Sequence, residues 1–196
     1  MGVATAPAAA EPRLMTAEEF FALPGDEHAE LVDGVLVMVP PAGHAHGSVN
    51  SRLLSRLAAH VYGEGLGELY DSSTGFLLRR GPDLVRAPDV AFVRADRVPL
   101  LQHGKAGSLV LAPDLAVETL SPSNTASQMQ RKTEEYLRYG TRAVWVIDPD
   151  ERTAAVYAVD APVRYLGEGD ALDGGDLVPG FAVPLAFVFA GLGPRA

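Results

Sequence analysis

Three carboxylates in this chain sit where carboxylates are costly. Asp89 lies in Val85-Arg-Ala-Pro-Asp-Val-Ala-Phe-Val93, Glu118 in Pro113-Asp-Leu-Ala-Val-Glu-Thr-Leu120, and Glu30 in His28-Ala-Glu-Leu-Val-Asp-Gly34. An acid inside an apolar strand destabilises the fold unless it is paired, hydrogen-bonded or bound to a cation. Two such strands side by side would hold two carboxylates on one divalent ion, and hard oxygen ligands suit Mg²⁺ or Mn²⁺. Strand alternation places Glu118 with Ala116 and Leu120, and Asp89 with Ala91 and Val93. Small alanines beside each acid leave room for an ion and its waters. Lys132 is the amine in the set. On a helix from about Ser127 it shares a face with Met129 and Tyr136, so it aims at an apolar stripe rather than at water. Beside carboxylates, such a lysine would orient a water or balance charge on a phosphoryl group.

Each residue also has a plainer reading. Asp89 is then a turn residue after Pro88, and Lys132 snorkels to solvent. Glu30 is then paired with an arginine or exposed on a hairpin. His44 and His46, placed just before a helix, read as solvated loop histidines rather than metal ligands, with contact to substrate left open. Arg86 reads as a partner of Asp83 in preference to a phosphate ligand. Tyr136 and Trp145 read as core residues. Gly63-Glu-Gly-Leu-Gly67 follows a helix rather than a strand, so it reads as a helix stop and not a phosphate loop.

These side chains need elements to position them. Thr16-Ala-Glu-Glu19 has the form of a capping box, with a short helix ending near Pro24-Gly25. Asp33-Gly34 between Ala29–Val32 and Val35–Val39 predicts a tight hairpin. Val49, Leu53, Leu54, Leu57 and Val61 recur at helical spacing over about Ala45 to Tyr62. Strands are expected at Glu68–Leu78, at Val85–Val93 with an interruption at Pro88, at Leu115–Leu120 and at Ala143–Ile147. Thr125-Ala-Ser-Gln128 caps a helix that Gly140 ends. Thr153–Val159 and the Gly-rich remainder suggest a meander, and Val178–Leu192 looks strand-like. The sum is one α/β domain over residues 14–196, a mixed sheet with helices on its faces, after a disordered Ala/Pro-rich tail over 1–13.

Composition limits the alternatives. The 196 residues suffice for one domain with a real core. The absence of cysteine excludes disulfides and thiolate zinc sites, and a cytoplasmic setting fits. No secretory signal is visible and no apolar run reaches the roughly 18 residues of a membrane span. A net charge of −9 opposes broad electrostatic capture of nucleic acid. A local basic face from Arg52, Arg56, Arg79, Arg80, Arg86 and Arg131 would be needed to offset it.

The blocks Met15-Thr-Ala-Glu-Glu-Phe20, Glu30-Leu-Val-Asp-Gly34, Arg86-Ala-Pro-Asp-Val90, Val117-Glu-Thr-Leu-Ser-Pro-Ser123, Lys132 with Tyr136, and Val144-Trp-Val-Ile-Asp-Pro149 resemble the Uma2 family. The resemblance runs from about Leu14 to Val159. It implies a restriction-endonuclease-like fold of the PD-(D/E)XK superfamily, with an N-terminal helix and hairpin. It further implies Asp89 as first metal ligand, Glu118 as second, and Glu30 as the preceding acid. Glu118-Thr-Leu120 has leucine where the superfamily pattern has lysine. The resemblance implies that Lys132, from the following helix, takes its place. The Thr119 carbonyl is an additional candidate metal donor. The expected activity is Mg²⁺- or Mn²⁺-dependent hydrolysis of phosphodiesters, with DNA as substrate by analogy, and a homodimer to reach both strands. The rivals are a non-catalytic binding module that keeps the fold and a metal-dependent hydrolase of small phosphoesters.

Overall fold

The computed structural model describes residues 13–24, 29–100 and 109–193. Nearly all of the expected N-terminal tail therefore lies outside the described residues. The capping box forms as read: Thr16 Oγ1 accepts from the Glu19 N–H at 3.3 Å and the Glu19 carboxylate accepts from the Thr16 N–H at 3.0 Å, starting α1 (Ala17–Phe21). The hairpin of β1 (Ala29–Val32) and β2 (Val35–Met38) turns through Asp33 and Gly34, with φ of 54° and 76°. Both angles belong to the mirror-image turn that fits strand twist. Gly34 is also required by space, since a Cβ there would come within 2.7 Å of the Leu14 Cβ.

The long helix α2 (His44–Gly63) starts earlier than the apolar periodicity suggested, so both His44 and His46 are helical. Its buried face is Val49, Leu53, Leu57 and Val61. Two of the expected strands are each cut in two. Instead of one strand over Glu68–Leu78, the chain forms β3 (Gly67–Asp71), turns, and forms β4 (Phe76–Arg79) in another sheet. Asp71 drives the turn: its Oδ1 accepts from Ser73 N–H at 3.0 Å and its carbonyl accepts from Thr74 N–H at 3.0 Å. The return segment divides likewise into β5 (Leu84–Arg86) and β6 (Val90–Arg94). Pro88, which cannot donate to a ladder, lies in the crossing between sheets.

The rest follows as β7 (Leu115–Thr119), α3 (Ala126–Arg138), β8 (Ala143–Asp148), β9 (Thr153–Ala158) and β10 (Arg164–Gly167). Thr125 and Gln128 form the second capping box at the start of α3. The strands β8, β9 and β10 make the expected meander. The tail departs from expectation. Only β11 (Ala171–Asp173) and β12 (Ala182–Pro184) are strands, and α4 (Leu185–Val188) is helical. Leu185, Val188 and Phe189 are buried at helical spacing in the cluster that includes the α2 residues, which explains the switch of period.

The main sheet has the order β10-β9-β8-β7-β6-β3. It is mixed, with β7 and β8 parallel and its other neighbours antiparallel. α2 covers one face through Val90, Phe92, Leu115, Val117, Trp145 and Ile147. α3 covers the other through Ala116, Val144 and Val146. A second sheet, β2-β1-β5-β4, packs under α1 through Ala17, Leu31, Leu77 and Val85. No described helix is long and apolar enough to cross a membrane.

Candidate active site

The antiparallel register of β6 and β7 sets the two central acids. Val90 pairs with Val117, so one step outward Asp89 stands opposite Glu118, where the two strands part. Glu118 shares the α3 side of the sheet with Ala116, which brings it to Lys132 and Tyr136 on that helix. Lys132 Nζ donates to Glu118 Oε2 at 2.8 Å and pairs with Glu30 Oε1 at 3.0 Å. Tyr136, with no exposed surface, donates its hydroxyl to Glu118 Oε1 at 2.7 Å. Both oxygens of Glu118 thus carry one donor each, and a carboxylate retains further lone pairs for a cation.

Glu30 belongs to a second layer of charge. Its Oε2 accepts from Arg86 at 2.6 Å, and its Oε1 also accepts from the Ala87 N–H at 3.1 Å. Arg86 Nε donates onward to Glu135 at 2.9 Å. Glu30 and Arg86 are almost fully buried, at 4% and 6% exposure, so each depends on the other for compensation.

Asp89 is held by a closed ring of hydrogen bonds. Its Oδ2 accepts from the Thr119 N–H at 2.7 Å and bonds His46 Nε2 at 3.1 Å. The Asn50 amide nitrogen lies 3.3 Å from His46 Nδ1, and the Thr119 hydroxyl donates to Asn50 Oδ1 at 2.5 Å. An amide nitrogen only donates, so Nδ1 accepts and the proton of a neutral His46 ring sits on Nε2, facing Asp89. The ring occupies Oδ2. Oδ1 of Asp89 receives no hydrogen bond from the described residues.

Charge is strongly coupled here. Burial raises Glu118 to a pKa of about 7, opposed by Lys132 and reinforced by Asp89 and Glu30. Burial works against the Lys132 ammonium, but Glu118 and Glu30 outweigh it and raise its pKa. Burial also disfavours the charge on Glu30, yet Lys132 and Arg86 prevail and hold its pKa below the ordinary value. Burial lowers His46, and the Asp89 carboxylate overrides it, so its pKa lies above normal. A protonated ring would require the Asn50 amide to turn.

The structure therefore brings Glu30, Asp89, Glu118, Thr119 and Lys132 together. It corrects three readings. His46 is a helical residue bonded to Asp89, not a solvated loop histidine. Arg86 pairs with Glu30 and Glu135, whereas Asp83 takes Arg80 and the Ala17 N–H. The basic face that six arginines could have formed is not built from free guanidinium groups. Arg79 and Arg131 share Asp33, Arg80 binds Glu18, Arg86 is buried, and Arg52 and Arg56 lie over the Phe187 ring. His46 was weighed only as a solvated histidine, although the expected helix start at about Ala45 already made it helical, and Asn50 was not considered. Their i, i+4 spacing away from the Val49–Leu53 face was the available signal. Tyr136 was read as core, which it is, but its hydroxyl also reaches Glu118.

The acids open into a cleft of about 440 Å³. Among the described residues no three acidic or histidine side chains gather as a metal cluster. The donor set is two facing carboxylates with one oxygen of Asp89 uncommitted. This all-oxygen set fits a hard divalent cation that keeps several waters, as Mg²⁺ does on one or two carboxylates.

No curated protein matches the chain. A crystal structure described as "a putative nuclease belonging to DUF820", from Anabaena variabilis ATCC 29413, is similar with a TM-score of 0.75 at 21% identity. The match covers 89% of this chain and 97% of that one, which shows a shared nuclease-like fold and agrees with the mixed sheet and flanking helices. A family model, Uma2, described as "Putative restriction endonuclease", matches residues 17–186. That span includes both main-chain layers and every residue of the cleft's acidic floor, and the chain belongs to the Uma2 family.

Proposed function

We propose that this protein is a metal-dependent nuclease that hydrolyses phosphodiester bonds in DNA. The observation that carries the reading is the meeting of Asp89 and Glu118 across β6 and β7, with Lys132 Nζ 2.8 Å from Glu118. Family membership and the nuclease-like neighbour support the same class. Asp89 Oδ1, Glu118 and the Thr119 carbonyl would hold Mg²⁺ or Mn²⁺. When bound, that ion supplies a water of lowered pKa and stabilises charge on the phosphoryl group.

The chain's own residues have separate tasks. The Thr119–Asn50–His46 ring fixes Asp89 so that Oδ1 is presented to the cleft. Tyr136 fixes Glu118. Lys132, shared between Glu118 and Glu30, carries positive charge at the point where the phosphoryl oxygens gain negative charge. Glu30, braced by Arg86, keeps that ammonium charged and in place. A homodimer also belongs to this reading, and sedimentation of the full chain measures it.

Plasmid nicking in Mn²⁺ tests the proposal. Glu118→Gln and Lys132→Ala should each lower the rate at least about 100-fold, with Mn²⁺ affinity falling in the first. A protein that binds Mn²⁺ yet cuts no polynucleotide would instead be a hydrolase of small phosphoesters. One that binds no divalent cation would be a non-catalytic module, and the reading would fail.

A further inference from the structure

Around its acids the cleft is lined by two further kinds of side chain. Val39, Pro40, Pro41 and Leu54 are apolar. Ser51, Ser72, Ser121, Ser123 and Asn124 are neutral donors and acceptors, and Asp71 adds another carboxylate. Among the described residues Lys132 is the sole lysine or arginine lining it, and two carboxylates already share that ammonium. None of Arg52, Arg56, Arg79, Arg80, Arg86 and Arg131 lines the cleft: Arg79, Arg80, Arg86 and Arg131 pair with acids, and Arg52 and Arg56 lie over the Phe187 ring. The whole chain carries a net charge of −9.

These features select among nucleic acids. A duplex presents rows of phosphates on a stiff surface and keeps its bases stacked inside. Proteins that hold it neutralise many phosphates with lysine and arginine. A volume of about 440 Å³ is of small-ligand size, on the scale of one or two nucleotides. Apolar lining in the same cleft as the acids suits a base that has left the stack, which an intact duplex does not offer. Single-strand recognition rests on such exposed bases and flexible backbone.

Resting on the phosphodiesterase reading above, we propose that the substrate is an unpaired polynucleotide segment. It is gripped at one or two nucleotides, with its base and sugar against Val39–Pro41, its phosphate at the acids, and the neutral serines and Asn124 as further hydrogen-bond partners. A single cleft is sufficient for this, so each copy of any assembly works alone.

The test compares three substrates under one concentration of Mn²⁺: a single-stranded oligonucleotide, the same sequence as a blunt duplex, and that duplex with a central unpaired bubble. The expected result is cleavage of the single strand at least tenfold faster than the duplex, with cuts in the bubbled substrate confined to the bubble. The salt dependence of kcat/KM on the single strand should be shallow. A slope of about −0.7 per neutralised phosphate gives no more than about −1.5 here. Pro41→Asp, which charges the apolar lining without touching the acids, should raise KM more than it lowers kcat. Preference for the intact duplex, or a slope of about −4 or steeper, overturns the inference while leaving the nuclease reading intact. Failure to cut all three substrates with Mn²⁺ bound overturns both.

Discussion

At the scale of single residues, Glu118 carries the most information. Its pKa of about 7 means that the folded chain keeps a proton that an ordinary glutamate releases near 4.5. Between those values the native state binds more protons than the unfolded one, so Glu118 contributes stability at the acidic end that is lost as pH rises to about 7. Glu30 is displaced in the other direction, and its contribution fades only as pH falls below the ordinary glutamate range. His46 shares the trend of Glu118, because its raised pKa also gives stability that declines with rising pH. Comparing thermal midpoints of metal-free wild type and Glu118→Gln over about pH 5 to 7.5 isolates the glutamate. The wild type should lose stability more steeply, and equal slopes would remove the assigned shift. Glu118 was legible in the sequence because an acid in Leu-Ala-Val-Glu-Thr has no apolar explanation. Its partner Tyr136 was not, since a tyrosine at helical spacing is already accounted for by packing.

At the scale of elements, the capping boxes, the Asp33-Gly34 hairpin and the α2 stripe could be read locally, because each is decided within a few residues. The division of two long strands between two sheets could not. Asp71 and Pro88 mark the breaks, but which sheet each half joins is decided by partners distant in sequence, such as Leu31 against Val85. The layered ion pairs are also a product of tertiary structure. Arg86 joins β5 to β1 and α3 through Glu30 and Glu135, and its nearest acid in sequence is not its partner. Removing it would take a buried guanidinium from buried Glu30, left to Lys132 and the Ala87 N–H, and from part-buried Glu135, left to Arg131. Arg86→Ala should therefore cost about 3–5 kcal/mol in chemical denaturation. Arg164→Ala, which breaks a half-exposed pair with Asp173, should cost at most about 1 kcal/mol. Similar losses in the two variants would contradict the structural role given to Arg86.

At the scale of the whole molecule, the core joins distant parts of the chain. The α2 face, the side of β6–β8 that it covers and the tail from Leu172 to Phe189 form one cluster. Leu53, fully buried in it, should cost about 2–5 kcal/mol when cut to alanine, and the unfolding should stay a single transition because helix, sheet and tail share the same contacts. Two separate transitions would show instead that the tail is an independent unit. The fold class and family could be anticipated from six separated blocks, but the fate of the arginines could not, since charge counts say nothing about pairing. The lysine's origin on α3, rather than on the acid's own strand, has a consequence for how this chain can vary in length. Between Glu118 and Thr125 the path is a strand end and an exposed hydrogen-bonded turn at Ser121–Asn124, where an added residue can bulge outward. Between Ala126 and Lys132 the path is helical, where one added residue swings everything after it by about 100°. Insertions should thus be tolerated before the cap and be ruinous after it, leaving Ser121–Asn124 as the segment where the rim can change without disturbing the amine.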